Sequence, residues 1–179
     1  PPEATVADGI VAIREGNFRE GFAIWTPHAE AGNPAAHYGL GLVYSRDRGA
    51  GMPARPELSH RHYKAAAHRG HVDSIFELAF QHERGIGTEA NTDHALAYYR
   101  VAAAKNHLNA QYNLAVPLSR GGDVKPDLRE AFFWAAAARN NARIRPRAEL
   151  TLEKVSRLAQ MIRERLLHQT ASKAGLAAT

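Results

Sequence analysis

The stretch VDSIFELAFQHERGIGTEANTDHALAYYRVAAAKNH, residues 72–107, carries the pattern that decides the fold. Ile75, Leu78, Ala79 and His82 recur at helical spacing before Gly85-Ile86-Gly87 interrupts them. Asp93 stands just before His94-Ala95-Leu96 and reads as the N-cap of a second helix running to about Lys105. The unit is therefore helix, glycine-containing loop, helix. It recurs on both sides, as PAAHYGLGLVYSRDRGAGMPARPELSHRHY from residue 34 and LNAQYNLAVPLSRGGDVKPDLREAFFW from residue 108. Three columns fix the register. Small residues Ala36, Ser74 and Ala110 lie 38 and 36 apart; loop glycines Gly49, Gly85 and Gly121 lie 36 apart; and so do the rings His62, Tyr98 and Trp134. The single 38 places a two-residue insertion between Tyr44 and Gly49.

A period of this length means stacked supersecondary units, none of which buries its apolar face alone. That accounts for the composition. Of 179 residues 34 are alanine, the best helix former. Gly41, Ala79 and Ala115, with the alanine runs at 65–67, 102–104 and 135–138, allow paired helices to approach closely. At this length a core forms without staples, because folding buries roughly two-thirds of the unfolded surface. The absence of cysteine removes disulfide scaffolds, thiolate nucleophiles and Cys-ligated metals together. No stretch approaches the roughly 18–20 apolar residues of a membrane span.

The ends extend the array. Residues 5–33 read as a helix, a turn at Gly16-Asn17 and a second helix ending near Gly32, with Trp25 and Gly32 each 38 residues before Tyr63 and Gly70. Residues 142–168 form a capping region, with Thr151 as N-cap and Leu152, Val155, Leu158, Ala159, Ile162 and Leu166 as its apolar stripe. Residues 169–179 read as a disordered tail. The net charge of +5 resides at this end: from Arg139 onward nine basic residues, Arg145 and Arg147 among them, face Glu149, Glu153 and Glu164. The basic run has no interleaved aromatics and no reading-helix motif, so no nucleic-acid partner is expected; it reads as a solvated cap. The chain starts Pro-Pro without methionine, which predicts a removed targeting peptide.

These motifs resemble the Sel-like repeat (SLR) family, relatives of the tetratricopeptide repeats. The first copy shows Ala36, Leu40-Gly41, Tyr44, Gly49-x-Gly51 and Tyr63-Lys64-Ala65-Ala66. The second shows Leu78-Ala79, Gly85-x-Gly87, Asp93, Ala95, Tyr98-Tyr99 and Ala102-Ala103, and the third Leu114-Ala115, Gly121, Val124, Asp127, Ala131, Trp134 and Ala136-Ala137. The resemblance covers roughly residues 5–145, with repeats at 34–71, 72–107 and 108–141. Two departures stand out: His82 replaces an aromatic, and Pro117, which removes a backbone donor, should kink or shorten its helix.

The resemblance implies an all-α, right-handed superhelix (solenoid) of three to four helix-turn-helix repeats, one domain overall. It also implies a concave groove holding a protein or peptide. If the first helix of each pair lines that groove, the outward residues are Tyr38, Leu42, Ser45 and Arg46, then Phe76, Phe80, Glu83 and Arg84, then Tyr112, Val116, Ser119 and Arg120. An aromatic column (Tyr38, Phe76, Tyr112) and an arginine column (Arg46, Arg84, Arg120) emerge. Arginine forks suit carboxylates and aromatics supply anchor area, so an acidic peptide is the expected partner. The competing reading makes the aromatics inter-helix core and lets the arginines cover loop carbonyls.

Other chemistries fit poorly. His60 and His62, at i and i+2 on a helix, point apart, and His68 and His71 flank Gly70 with only Asp73 near to complete a metal site. Ser45 and Asp47 have no histidine in the same motif, and there is no Gly-x-Ser-x-Gly elbow. The paired loop glycines lack the Lys-Ser/Thr of a phosphate loop. The expectation is a non-enzymatic scaffold without cofactor or metal. The resemblance implies the bacterial envelope, periplasmic or secreted; a cytoplasmic regulatory adaptor is the alternative, and a histidine-based metal binder a third reading.

Overall fold

The computed structural model describes residues 4–49, 52–144 and 150–176, and among them every regular element is a helix. In chain order these are α1 (Val6–Arg14), α2 (Phe18–Glu30), α3 (Pro34–Tyr44), α4 (Pro56–Ala67), α5 (Val72–Arg84), α6 (Thr92–Ala104), α7 (Leu108–Arg120), α8 (Leu128–Ile144) and α9 (Leu152–Leu176). Helices α1 to α5 pack in succession in the first unit, and α7, α8 and α9 in the second. The residues group into two compact units, Pro1–Tyr98 and Tyr99–Thr179, where the sequence predicts one continuous domain. The division falls within α6. In a stack of helix pairs each pair packs chiefly on its neighbours, so few contacts tie distant parts together.

The sequence columns prove to be structural ones. Ala36, Ser74 and Ala110 are all completely buried. Gly49, Gly85 and Gly121 adopt φ of 68°, 67° and 79°, the left-handed region that glycine enters without a steric penalty. The second glycine of the first loop, Gly51, lies outside the described residues. A further column was not read from the sequence. Asn33, His71 and His107 each precede a first helix and accept a hydrogen bond from the backbone two or three residues on: Ala35 and Ala36 at 2.9 and 3.1 Å, Ser74 at 3.3 Å, Ala110 at 3.2 Å. For the second helices the cap is Asn91, whose Oδ1 accepts from His94 N at 2.9 Å. Asp93, expected in that role, lies inside the first turn. Asp127 caps α8 in the same way, 36 residues later.

In the first unit Trp25 organises the core. Its ring is buried among Ala29, Ala36, Leu40 and Val43, and its Nε1 donates to Val6 O at 3.0 Å. Gly9 and Gly39 lie against the indole so closely that a Cβ at either would overlap it. The N-terminal helix pair is thereby locked onto the first repeat. In the second unit Leu108, Ala138, Ala142, Leu150 and Val155 form the corresponding cluster.

Four expectations are corrected here. α7 continues through Pro117 to Arg120 and has 13 residues, the same as α5, so the proline does not shorten it. α9 runs to Leu176, through most of the expected disordered tail; residues 177–179 lie outside the described set. Thr151 caps α9 as predicted, accepting from Lys154 N at 3.3 Å. Its apolar stripe, however, is Val155, Leu158, Ala159 and Ile162, while Leu152 is 42% exposed and Leu166 half-buried. The basic end is also more engaged than a solvated cap: Arg165 donates to Ser119 O at the end of α7, where cations meet the negative end of the helix dipole. Arg145, Arg147 and Glu149 lie outside the described residues.

Candidate partner-binding surface

In the first unit the predicted residues lie on α3 and α5. Tyr38 is half-buried, its ring 5.9 Å from that of Tyr63 on α4 and 4.7 Å from that of His71 at the start of α5. Burial, with Asp73 and Glu77 adding negative charge, pushes its hydroxyl up to about 12. Tyr38 therefore spends much of its surface joining three helices. Phe76 and Phe80 are half-buried as well. Leu42 is half-buried, and its carbonyl accepts from Ser45 Oγ and Arg48 Nη2, both at 2.8 Å.

The polar positions behave differently. Arg46, Glu83 and Arg84 are exposed. The Arg84 guanidinium sits over the Phe80 ring at 5.7 Å, a cation–π contact that orients the fork without consuming its donors. In the second unit Arg120 is likewise exposed at the end of α7, and Val116 is half-buried. Tyr112 packs against the Leu108–Val155 cluster, with the Lys154 ammonium 5.1 Å over its ring. Ser119, read as outward, is completely buried, with its Oγ donating to Val116 O at 2.8 Å. The aromatic column is thus largely inter-helix packing, and the arginine column faces water.

The histidines are tied into the repeat stacking. His62 meets His37, Nδ1 to Nδ1, at 3.0 Å and stacks on Tyr44 at 5.6 Å. Burial, reinforced by His37 and Arg61, lowers its pKa to about 4. His60 instead bonds Gln81 Oε1 at 3.0 Å, so the two point apart as their spacing predicts. His82 stacks on Tyr98 at 5.6 Å and is met edge-on by His60 and His94; it replaces an aromatic by acting as one. Among the described residues no group of three or more His, Asp or Glu side chains converges on a metal position. These partners were missed in the sequence because each pair joins different helices. The 36-residue spacing of His62, Tyr98 and Trp134 was the available signal.

Three consecutive Sel1 repeats match the family model, at residues 34–71, 72–107 and 108–141. The chain belongs to the Sel1 repeat family. Comparison with the curated proteins finds no match. Among solved structures it is similar to a Sel1 repeat protein from Oxalobacter formigenes, with a TM-score of 0.71, 25% identity, and coverage of 79% of this chain and 57% of that one. It also shares its fold with a protective antigen present in uropathogenic Escherichia coli strains displaying an SLR fold, at TM-score 0.60 and 19% identity, covering 89% and 40% of the two chains. The chain thus spans about half the length of these structures. Sel1 repeat proteins are generally scaffolds for protein interaction, typically without catalysis. No described helix is long and apolar enough to cross a membrane.

Proposed function

We propose that this chain is a non-catalytic adaptor of the bacterial cell envelope that uses the first-helix face of its first unit to hold an acidic protein or peptide. The observation that carries this reading is the pair Arg46 and Arg84. Arg46 lies in the turn two residues beyond α3 and Arg84 is the last residue of α5; both are exposed, with Arg84 oriented by Phe80. Exposed guanidinium forks suit carboxylates of a partner. The half-buried Leu42 and Phe80 beside them supply apolar contact area at the same face. The envelope assignment rests on the family resemblance and on the bacterial sources of the similar structures.

The test is capture from native extract by the wild-type chain and by Arg46→Glu/Arg84→Glu, with helicity checked by circular dichroism. The reading expects the partner to be lost from the folded variant. Equal capture by both chains sinks it.

A further inference from the structure

A second feature of the first unit has no part in the first-helix face. Between α2 and the loop that follows α3 lies a cleft of about 290 Å³, whose walls include Phe22, Val43, Tyr44 and Met52. Phe22 and Tyr44 meet edge to face at 5.8 Å, giving it a rigid aromatic side. Arg19 and Arg55 stand on its rim. A neighbouring cleft of about 400 Å³ shares Arg19 and Met52 and adds Phe18 and Arg48. Three arginines therefore border two joined hollows, against one wall carboxylate, Glu20.

Arg48 is already positioned. One of its nitrogens donates to Leu42 O at 2.8 Å, and its guanidinium lies 4.8 Å over the Phe18 ring. Its Nε is buried with no acceptor. The nearby Asp47 does not supply one, since its carboxylate accepts from Gly49 N at 2.7 Å. A buried donor without an acceptor is rare in folded proteins, and a carboxylate is the acceptor that guanidinium matches best. An apolar hollow with a few convergent polar groups is the general form of a ligand site.

We propose that these joined clefts bind an acidic peptide segment of a partner protein, one apolar side chain entering between Phe22, Tyr44 and Met52 while flanking carboxylates meet Arg19, Arg48 and Arg55. Three arginines along the two hollows suit a segment carrying several acids. The volume of the first hollow admits one leucine-sized side chain. The two sites adjoin at Tyr44–Arg48, and shifts at Phe22 and Met52 against shifts at Phe80 and Arg84 tell them apart.

The experiment titrates the full chain with the amidated peptide Ac-Asp-Glu-Leu-Asp-Glu and its serine counterpart Ac-Asp-Glu-Ser-Asp-Glu, by calorimetry and by amide chemical shifts. The proposal expects the leucine peptide to bind and to shift the amides of Phe22, Tyr44 and Met52. The serine peptide should bind about tenfold more weakly, the loss expected when a buried apolar side chain is removed. Arg19→Glu/Arg55→Glu should weaken the leucine peptide by about tenfold or more and abolish the shifts at Phe22 and Met52 with helicity intact. Absence of binding at millimolar peptide, equal affinity for both peptides, or shifts confined to α3 and α5 residues around Arg46 and Arg84 would each overturn it. The last outcome would leave the first-helix reading standing.

Discussion

Within residues 34–98 the buried polar contacts that join helices are built largely on imidazole, whereas within residues 99–144 the buried ones are built on carboxamide, beside the more exposed Arg100–Glu130 ion pair between α6 and α8. In the first unit Ser59 Oγ donates to Gly41 O at 2.9 Å, Gln81 Nε2 donates to Ser59 Oγ at 3.2 Å, and His60 bonds the other end of Gln81. Around this chain stand the pairs His37–His62 and His82–Tyr98. In the second unit Gln111 Nε2 donates to Ala103 O at 3.2 Å, and Asn141 Nδ2 donates to Asn106 O at 2.6 Å and to Gln111 Oε1 at 3.3 Å. Both arrangements clip three helices together with buried polar groups, which is what specifies a unique stacking among alanine-rich surfaces. Only the first is built on imidazole. Eight of the ten histidines fall in residues 1–98, so the two units should respond to acid differently although they share one repeat.

The largest expected effect follows from that contrast. In the unfolded chain a histidine takes up its proton near pH 6.5. In the folded chain His62 does so only near 4, because burial and the facing His37 and Arg61 oppose the charge; burial also lowers His37, His71 and His82. Between those values the unfolded state binds more protons, so stability is complete above about pH 6.5 and falls as pH falls toward 4. The loss should be on the order of 2–3 kcal/mol, allowing for the solvent that reaches these half-buried rings. Hydrogen exchange at pH 7 and pH 4.5, read residue by residue, checks it. Protection should drop in α3–α5 and hold in α7 and α8, and His62→Phe should remove much of the drop. A uniform loss across both units would break the comparison.

The amide clip gives the next effect, and it should be independent of pH. Asn141→Leu removes the donor that serves Gln111 Oε1 and Asn106 O while leaving Gln111 buried. An orphaned buried acceptor of this kind costs about 2 kcal/mol. Urea unfolding should show that loss equally at pH 7 and pH 5. Adding Gln111→Leu should recover part of it, since replacing both partners leaves no unpaired group. A double variant weaker than the sum of the singles would show that the clip is not what the second unit depends on.

The same contrast separates what the sequence revealed from what it concealed. The repeat was legible because its markers are local: a left-handed glycine, a small residue under a neighbouring helix and a ring column each leave a fixed residue type at a fixed interval. Thr151 was legible for the same reason. The N-cap column was not, because its members differ in type, and Asn33, His71 and His107 share only a nitrogen or oxygen placed to accept a backbone N–H. Asp93 reads as a cap by residue type, but Asn91, of an equally favoured type, holds that place two residues earlier. Helix-face counting expects Arg46, Arg84 and Arg120 outward, and all three are exposed, Arg46 in the turn after α3 rather than on the helix. It failed for Ser119, which lies one turn beyond the buried Ala115. It could not foresee that Tyr112 would be taken up by Lys154, forty-two residues away. The arginine-rimmed clefts escaped detection because α2 and the following repeat's loop supply their walls jointly.

The smallest effect tests whether histidine at a cap is chemistry or coincidence. His71 caps α5 through an unprotonated Nδ1 that accepts from Ser74 N, and its ring also packs on Tyr38 at 4.7 Å. Asn33 does the capping job at the equivalent position before α3 with an amide oxygen. His71→Asn should therefore keep the cap and lose only ring packing, whereas His71→Ala loses both and should cost about 1 kcal/mol more. At pH 7 thermal unfolding should rank wild type, Asn and Ala in falling order. As pH falls through the titration of His71, which burial holds below the ordinary imidazole value, the ranking of the first two should narrow or invert, because a protonated Nδ1 can no longer accept while the amide is unaffected. An asparagine variant that tracks alanine both at pH 7 and in acid would assign the role of His71 to its contact with Tyr38, and the cap column would reduce to two members.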